Sequence, residues 1–309
     1  MFMTVIKNSN IHFVRVCLFQ VFVFGLFFLG VNIASAAEVY LSTHGQDIYI
    51  DDVFIVDARI SSPDTLINVA DGSIVYDQEK LEVRELSTGG SAFSLWASGP
   101  SFSNLDGKVR FVGGTPKGFQ GDGLIVRTIF TAKKAGKTNI SIEDGFSLFL
   151  SDGKGTKIVP RERFFEAITI IERPKELSPR DEWKDFVGRD VHSPEFAEAV
   201  ISKDPRIFDG KYFLSFFATD EGTGVLYYEV KEGEREYIRS NSPYVLQDQT
   251  LKSTVLVKAV DVAGNEAVIT PEISAPQEVP MTKYPIWIFV LVIVALILIV
   301  LRGKIKNKA

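Results

Sequence analysis

The chain has 309 residues, a formal net charge of −5, three histidines and a single cysteine. Six of its 34 basic residues lie near the two hydrophobic ends, which leaves 28 basic against 39 acidic residues between those ends. An acidic section of this kind argues against nucleic acid or anionic lipid as its partner. Because Cys17 lies in the first hydrophobic segment, the rest of the chain has no thiol for a disulfide and must be stabilised by packing.

The N-terminus has the pattern of a secretory signal. Lys7 and Arg15 precede an almost wholly apolar stretch, residues 16–30, and small residues follow at 34–36 (Ala-Ser-Ala). This order predicts a signal peptide over 1–36, with the mature chain starting near residue 37. An uncleaved N-terminal anchor is the alternative.

Short alternating segments fill most of the chain after the signal. Phe54, Val56, Ala58 and Ile60 alternate with polar residues, and residues 124–130 repeat the pattern. Asp-Gly and Gly-Gly pairs recur about every ten residues between such segments. Half-buried strands separated by regular turn signals predict an all-β chain with two antiparallel β-sandwiches and a C-terminal transmembrane helix.

Residues 38–172 form the first predicted domain. Tyr76-Asp77 leads into Leu81-Glu82-Val83, so Tyr76 and Leu81 are expected to enter the core on either side of a tight turn. Later, a long strand ends at Phe130 and is followed by the turn sequence Ala132 to Thr138 (AKKAGKT), in which Gly136 is expected to supply a positive φ.

The order of these elements resembles the cohesin family, the receptor modules of cellulosome scaffolds and of many bacterial surface proteins. The resemblance covers about 38–172 and implies a nine-stranded jelly-roll sandwich related to carbohydrate-binding modules. In that family one sheet face grips the helices of a dockerin partner, without catalysis or a metal ion. The chain departs from a scaffold in having one such module and no dockerin-type calcium repeat.

A charged, proline-punctuated stretch, 173–185, is predicted to be a linker. The second domain, 186–275, ends in the sequence Ala259 to Asn265 (AVDVAGN), which resembles bacterial immunoglobulin-like (Ig-like) or fibronectin-like surface domains. There, Asp and Asn side chains are expected to bond the backbone of the turn. Residues 193–201 fit a capped helix or a short strand equally well. This module is interpreted as a spacer.

The C-terminal segment is predicted to anchor the chain. A brief stalk, 276–283, precedes a transmembrane helix over 284–301 and a basic cytoplasmic tail, 302–309. The chain is thus expected to be a single-pass cell-membrane protein whose other domains lie outside. Residues 279–283 are arranged like a sortase signal, but valine and lysine stand where that motif has leucine and glycine, so a retained helix is favoured.

No catalytic motif is found in the sequence. His44 and His192 are the histidines outside the signal, and neither lies in a nucleophile context. Two histidines and no mature cysteine are too few for a zinc site, and the acidic pairs lack EF-hand spacing. The chain is expected to be neither an enzyme nor a carrier of a cofactor or metal.

The leading hypothesis is a surface binding protein whose cohesin-like module engages a dockerin-like protein or a glycan. Candidate contacts are aromatic side chains that stack on sugars or anchor an interface: Phe93, Trp96, Phe102, Phe146 and Phe149. Core packing is the alternative role for each. Two other hypotheses remain, a structural envelope component with no discrete ligand and an accessory factor of polysaccharide catabolism.

Overall fold

A computed structural model describes residues 37–44, 47–163 and 166–274. The predicted signal peptide, stalk, transmembrane helix and tail lie outside these residues. Among the helices that the structure describes, none combines the length and the apolar character needed to span a bilayer.

The described chain divides into two units. The first comprises the residues up to His192 together with 219–225 and 262–265, and the second comprises 193–218, 226–261 and the residues after 265. The first unit contains a short helix, α1 (Glu182–Val187), and eleven strands: β1 (Glu38–Thr43), β2 (Ile48–Tyr49), β3 (Val53–Tyr76), β4 (Leu81–Ser87), β5 (Leu95–Ser103), β6 (Lys108–Ala132), β7 (Gly136–Ile142), β8 (Ser147–Leu150), β9 (Lys157–Ile158), β10 (Arg161–Arg163) and β11 (Glu166–Ile171).

Two long strands organise the first unit. β3 and β6 pair antiparallel along most of their length, and register shifts interrupt the pairing around Ser62 and Ile67. The first half of β3 pairs with β1, and its second half pairs with β7 and β8. Likewise, the first half of β6 pairs with β5 and its second half with β4. Because irregularities of this kind bend and twist a strand pair, one ribbon contributes to both layers of the sandwich.

A continuous apolar core lies between the layers. Its fully buried large side chains come from strands throughout the unit and include Phe54, Phe111, Phe130, Ile67, Ile74, Leu81 and Ile140. The all-β prediction is confirmed, but the pairing is not purely antiparallel. β1 pairs parallel with β10, and β2 pairs parallel with β11.

The predicted turn chemistry of this unit is confirmed. Tyr76 and Leu81 are buried on either side of a tight turn that the Leu81 amide closes by donating to the Asp77 carbonyl, 2.9 Å away. Burial, with the nearby charges of Glu82 and Asp106, raises the pKa of Tyr76 to about 12. Gly136 has a φ of 128°, in the region that favours glycine.

The predicted linker contains a helix that the sequence interpretation missed. Asp181 caps α1 by accepting a hydrogen bond from the Lys184 amide, and Gly188 ends the helix. Trp183 is 4% exposed and packs on Val53, Ile55 and Ile129, three outward-facing side chains of the sheet. Residues 181–187 therefore belong to the first unit and cover an apolar stripe on it.

The second unit contains two four-stranded sheets. Its strands are β12 (Glu195–Lys203), β13 (Tyr212–Thr219), β14 (Val225–Glu232), β15 (Ile238–Arg239), β16 (Tyr244–Val245), β17 (Val255–Asp261), β18 (Glu266–Ile269) and β19 (Glu272–Ile273), with a single 3-10 turn at Phe208–Gly210. The sheets have the orders β16-β13-β12-β19 and β15-β14-β17-β18. They share a core that includes Ile201, Leu214, Phe216, Val230 and Val257.

Two local expectations for the second domain are resolved. Residues 195–203 form a strand, the second of the two alternatives that the sequence left open. Gly264 has the expected positive φ, 91°. The side-chain amide of Asn265 donates a hydrogen bond to the Asp190 carbonyl, which lies outside its own turn.

Candidate functional site

One sheet face of the first unit carries the exposed side chains suited to a partner. Five strand segments lie side by side in the order β9, β8, second half of β3, first half of β6, and β5. We call their outward side the β5–β9 face. It comprises Lys157, Phe149, Val69, Asp71, Ser73, Val75, Lys108, Arg110, Val112, Gly114, Leu95, Ser98, Ser101 and Ser103.

The orientation of this face follows from strand alternation. In β6, Val109 and Phe111 are buried, whereas the alternate residues Lys108, Arg110 and Val112 are partly or fully exposed. Because successive side chains point to opposite sides of a sheet, the alternate set must face away from the core. The pairing registers then place the outward residues of the five strands in cross-strand rows.

One cross-strand row of this face, from β8 to β5, is apolar. Register places Phe149 opposite Val69, Val69 opposite Gly114, and Gly114 opposite Leu95. Leu95 is 51% exposed, while Phe149 and Val69 are partly buried. A Cβ added at Gly114 would lie 3.3 Å from Val69 Cγ2, so the Val69 side chain already covers this glycine. Leu95 therefore supplies most of the exposed apolar surface of the row.

The next rows are polar and charged. Asp71 lies opposite Val112, and Ser73 lies opposite Arg110. Lys108 donates a hydrogen bond to Glu143, and this bond holds the pKa of Glu143 below its usual range. Arg110 is 3.9 Å from Asp106 at the edge of the face. The face therefore combines an apolar row with charges of both signs, the composition of a protein interface with a polar rim.

The structure separates the five aromatic residues named from the sequence. Phe93 and Phe146 are each 2% exposed and belong to the core. Phe149 lies on the β5–β9 face and is partly buried. Trp96 is partly buried and packs against the core, while Phe102 is 42% exposed on the edge strand β5.

Phe93 and Phe146 are thus removed as contact residues. The Phe146 ring lies directly over Gly72, where an added Cβ would stand 2.1 Å from the ring. It also meets Phe111 edge-on at 5.9 Å. Glycine in β3 therefore makes room for an aromatic side chain that seals the core, which is the packing role that the sequence left as the alternative.

Trp96 has a similar structural role. It is opposite Gly113 in register, on the inward side of β5, and an added Cβ at Gly113 would lie 2.5 Å from the indole. Its ring meets Phe111 edge-on at 6.4 Å. A ring packed in this way does not offer an open platform for stacking on a sugar.

Sequence reasoning missed Leu95, Val69 and Arg110. Their signal is present in the strand alternation, since Val69 and Arg110 each adjoin a buried residue of their strand and Leu95 adjoins the partly buried Trp96. The choice of aromatic residues by type alone selected side chains that are often buried, and alternation would have selected the outward set instead.

An open cavity of about 560 Å³ lies beside α1. It is lined by His44, Arg180, Glu182, Lys184, Asp185, Gly188 and Arg189. His44 is 45% exposed and lies 3.5 Å from Asp57 and 3.6 Å from Glu182. Because the cavity is open to water, it lacks the desolvation that tunes a catalytic acid or base.

Two acidic groups of the first unit, Asp190 and Asp220, lie close together. Asp190 accepts hydrogen bonds from the amides of His192 and Thr223, and Asp220 accepts them from Gly222 and Gly224. These bonds give both carboxylates a role in holding the loop 219–225.

Comparison with known proteins gives structural matches only. No family model matches the chain, and no curated protein matches it. A non-cellulosomal cohesin from the hyperthermophilic archaeon Archaeoglobus fulgidus is 14% identical, with a TM-score of 0.37 over 44% of this chain and 91% of that chain. The seventh ScaB type I cohesin from Pseudobacteroides cellulosolvens is 16% identical, with a TM-score of 0.38 over 46% and 97%.

A third match is the type I cohesin–dockerin complex Coh-OlpC-Doc435 from Clostridium thermocellum. It is 15% identical, with a TM-score of 0.38 over 45% of this chain and 95% of that chain. These matches fall on the N-terminal part of the chain. They are similarities of fold at low identity, and they do not extend to the second unit.

Proposed function

We propose that this chain is an exported, membrane-anchored binding protein whose first unit engages a protein partner of the dockerin type. The β5–β9 face carries this proposal, because the exposed side chains of Leu95, Asp71 and Arg110 lie together on it. A helix laid across the face would place an apolar side chain against Leu95 and Val69 and polar groups over Asp71 and Arg110.

The inner packing supports a rigid interface. Phe111, Ile74 and Leu148 lie beneath the face and are each no more than 1% exposed. A face held by a close-packed core loses little conformational entropy when it binds, and this favours affinity.

The proposal is tested on the soluble fragment 37–274 by calorimetry against a panel of dockerin modules, including those encoded in the same genome. Leu95→Asp places a charge in the apolar row and is expected to weaken binding at least about tenfold, or 1.4 kcal/mol. Leu177→Asp is the matched control, because Leu177 is 47% exposed and lies off the face. It is expected to bind as the parent does.

Arg110→Glu tests the polar rows independently and is expected to reduce the affinity and alter its salt dependence. Binding that survives both Leu95→Asp and Arg110→Glu would place the contact elsewhere. Retention of a polysaccharide, with no dockerin bound, would support the glycan alternative. A fragment that retains neither would favour a structural envelope component.

Anchorage is part of the proposal. The apolar run from Ile286 to Leu301 and the basic residues after it support a single span with a cytoplasmic C-terminus. The second unit then precedes the anchor directly and acts as a spacer that holds the binding unit outside the membrane.

A further inference from the structure

One loop of the second unit presents apolar side chains to solvent in an unusual backbone conformation. Ile207 is 44% exposed and Phe208 is 38% exposed. Phe208, Asp209 and Gly210 have consecutive φ values of 51°, 55° and 69°. A bulky residue with a positive φ is an outlier that persists only where its surroundings fix it.

The loop is fixed by its own contacts. The Gly210 amide donates to the Ile207 carbonyl at 3.0 Å, and the Lys211 amide donates to the Phe208 carbonyl at 3.0 Å. Asp204 binds both the amide and the guanidinium of Arg206. The Phe208 ring rests on Phe213, with 5.2 Å between centroids. Ile207 and Phe208 are therefore held at the tip of an ordered loop.

Strand direction places this loop where the chain leaves the unit. β12 runs toward the loop, and β19 pairs parallel with β12, with Ile201 opposite Ile273. The amide of Ser274 donates to the carbonyl of Ile201, 2.9 Å away. Ser274 and the 204–211 loop thus lie at the same end of the second unit.

The chain beyond that end contains the predicted anchor. Eleven residues, 275–285, separate Ser274 from the apolar run that begins at Ile286. Even fully extended, eleven residues span no more than about 40 Å. A bilayer that contains this apolar run therefore lies within about 40 Å of Ser274, at the end of the unit that carries Ile207 and Phe208.

We propose that the 204–211 loop is a second membrane contact, in which Ile207 and Phe208 enter the interface between lipid headgroups and acyl chains. This inference rests on the anchor in the proposed function. Arg206 and Lys211 flank the two apolar residues and are placed to meet lipid phosphates. Because the anchor keeps the loop at a high effective concentration near the bilayer, a small apolar contact is sufficient.

The charge of this end favours a zwitterionic surface. Two further loops lie at this end of the unit. The Tyr212 amide donates a hydrogen bond to the Gln249 side chain, and the Glu232 carboxylate accepts hydrogen bonds from the amides of Gln247 and Asp248. Between their flanking strands, the three loops carry four basic residues, Arg206, Lys211, Arg235 and Lys252, and five acidic residues, Asp204, Asp209, Glu234, Glu236 and Asp248. This nearly balanced charge gives no general attraction to anionic lipid, so the apolar tip must supply the contact.

The test uses the full chain in phosphatidylcholine vesicles. Cys17→Ser removes the only cysteine, and Ile207→Cys then carries an environment-sensitive dye. Leu226→Cys is the matched control, because Leu226 is 57% exposed and lies near the start of β14, at the opposite end of the same unit. The dye at 207 is expected to emit at shorter wavelength and to be quenched by lipids brominated in the acyl chain, whereas the dye at 226 shows neither effect.

Each other outcome overturns the inference in a recognisable way. Equal emission from 207 and 226 in vesicle-bound protein means that the loop stays in water. A blue shift at 207 without quenching means that protein, such as a second copy, covers the loop. Failure of the chain to enter vesicles would contradict both the anchor and this inference. Dockerin binding by the first unit is measured on a separate fragment, so this result would leave that part of the proposed function standing.

Discussion

Two ion pairs on neighbouring strands of the first unit differ in burial and therefore in their importance. Asp57 and Arg127 are 2% and 8% exposed, and two hydrogen bonds of 2.9 and 3.2 Å join them. Arg59 and Asp122 join the same two strands, but their side chains are 30% and 47% exposed. Their hydrogen bonds are equally short, at 3.1 and 2.5 Å.

We expect Asp57→Asn to lower the free energy of unfolding by about 3 kcal/mol, because it leaves the buried guanidinium of Arg127 without its carboxylate. Asp122→Asn is expected to cost no more than about 1 kcal/mol, since water screens that pair. Urea unfolding of the fragment 37–274 measures both. Equal effects of the two substitutions would contradict the role of burial.

A third carboxylate links stability to pH. Asp52 is 2% exposed, and burial by itself would raise its pKa. Hydrogen bonds from the Arg173 guanidinium and from the amides of Tyr49 and Arg180 outweigh that effect and lower the pKa. The folded protein therefore favours ionised Asp52, and this stabilisation is present above the ordinary pKa near 4 and is lost as the pH falls through the lowered value.

We expect Asp52→Asn to cost about 2 kcal/mol at pH 7 and progressively less below about pH 4. Urea unfolding at pH 7, 5 and 3 checks this dependence. A deficit that stays constant down to pH 3 would show that the Asp52 charge is not what Arg173 recognises.

At the scale of elements, α1 is the part of the first unit that covers the sheet from outside. Trp183 stacks on Phe186 with 5.5 Å between centroids, and its indole N–H donates to Glu85 at 2.9 Å. The Arg127 guanidinium lies 4.3 Å from the centre of the Phe186 ring. The helix thus covers both the apolar stripe and the buried Asp57–Arg127 pair.

Trp183→Ala is expected to destabilise the fragment 37–274 by about 3 to 5 kcal/mol, because it removes a buried ring and the hydrogen bond to Glu85. Lys184→Ala, one position along the same helix and exposed, is expected to change stability by less than about 0.5 kcal/mol. Thermal unfolding of the two variants side by side provides the comparison. A neutral Trp183→Ala would mean that α1 does not stabilise the unit.

How well each element was predicted from the sequence depended on how many residues its hydrophobic pattern spans. The alternating segments 54–60 and 124–130, within β3 and β6, and the glycine turn at Gly136 were predicted, because several residues repeat one period. The Asp-Gly and Gly-Gly pairs at 71–72, 113–114 and 122–123 were taken as turns, whereas they lie inside β3 and β6. The helix was missed although Asp181, Trp183, Phe186, Val187 and Gly188 provide a cap, an apolar face and a stop. One turn and a half of helix between charged, proline-containing flanks is too short for periodicity to outweigh composition.

The candidate site shows a related limit. Alternation identifies which residues of a strand share a face, but not which face the core uses. That choice depends on strand pairing across distant parts of the chain, such as Val69 with both Phe149 and Gly114. The burial of Phe146 required knowing that it lies over Gly72, a contact between residues 74 positions apart. Long-range register is therefore what the sequence alone did not provide.

At the scale of the whole molecule, each unit has its own apolar core, and the longest apolar runs lie outside the described residues, at the two ends. The proposed arrangement, a binding unit followed by a spacer and an anchor, requires the chain to be exported up to the anchor and stopped there. Basic residues resist translocation, so Arg302 and the three lysines after it are expected to stay in the cytoplasm.

This topology predicts opposite labelling of two engineered cysteines in a Cys17→Ser background. Leu177→Cys replaces an exposed side chain of the first unit and is expected to react with a membrane-impermeant maleimide on intact cells. Lys308→Cys, in the basic tail, is expected to react only after the cells are permeabilised. Reaction at 308 on intact cells would contradict a cytoplasmic tail, and protection of 177 until permeabilisation would contradict export of the binding unit. Because both cysteines label after permeabilisation, a difference on intact cells reports the side of the membrane rather than local burial.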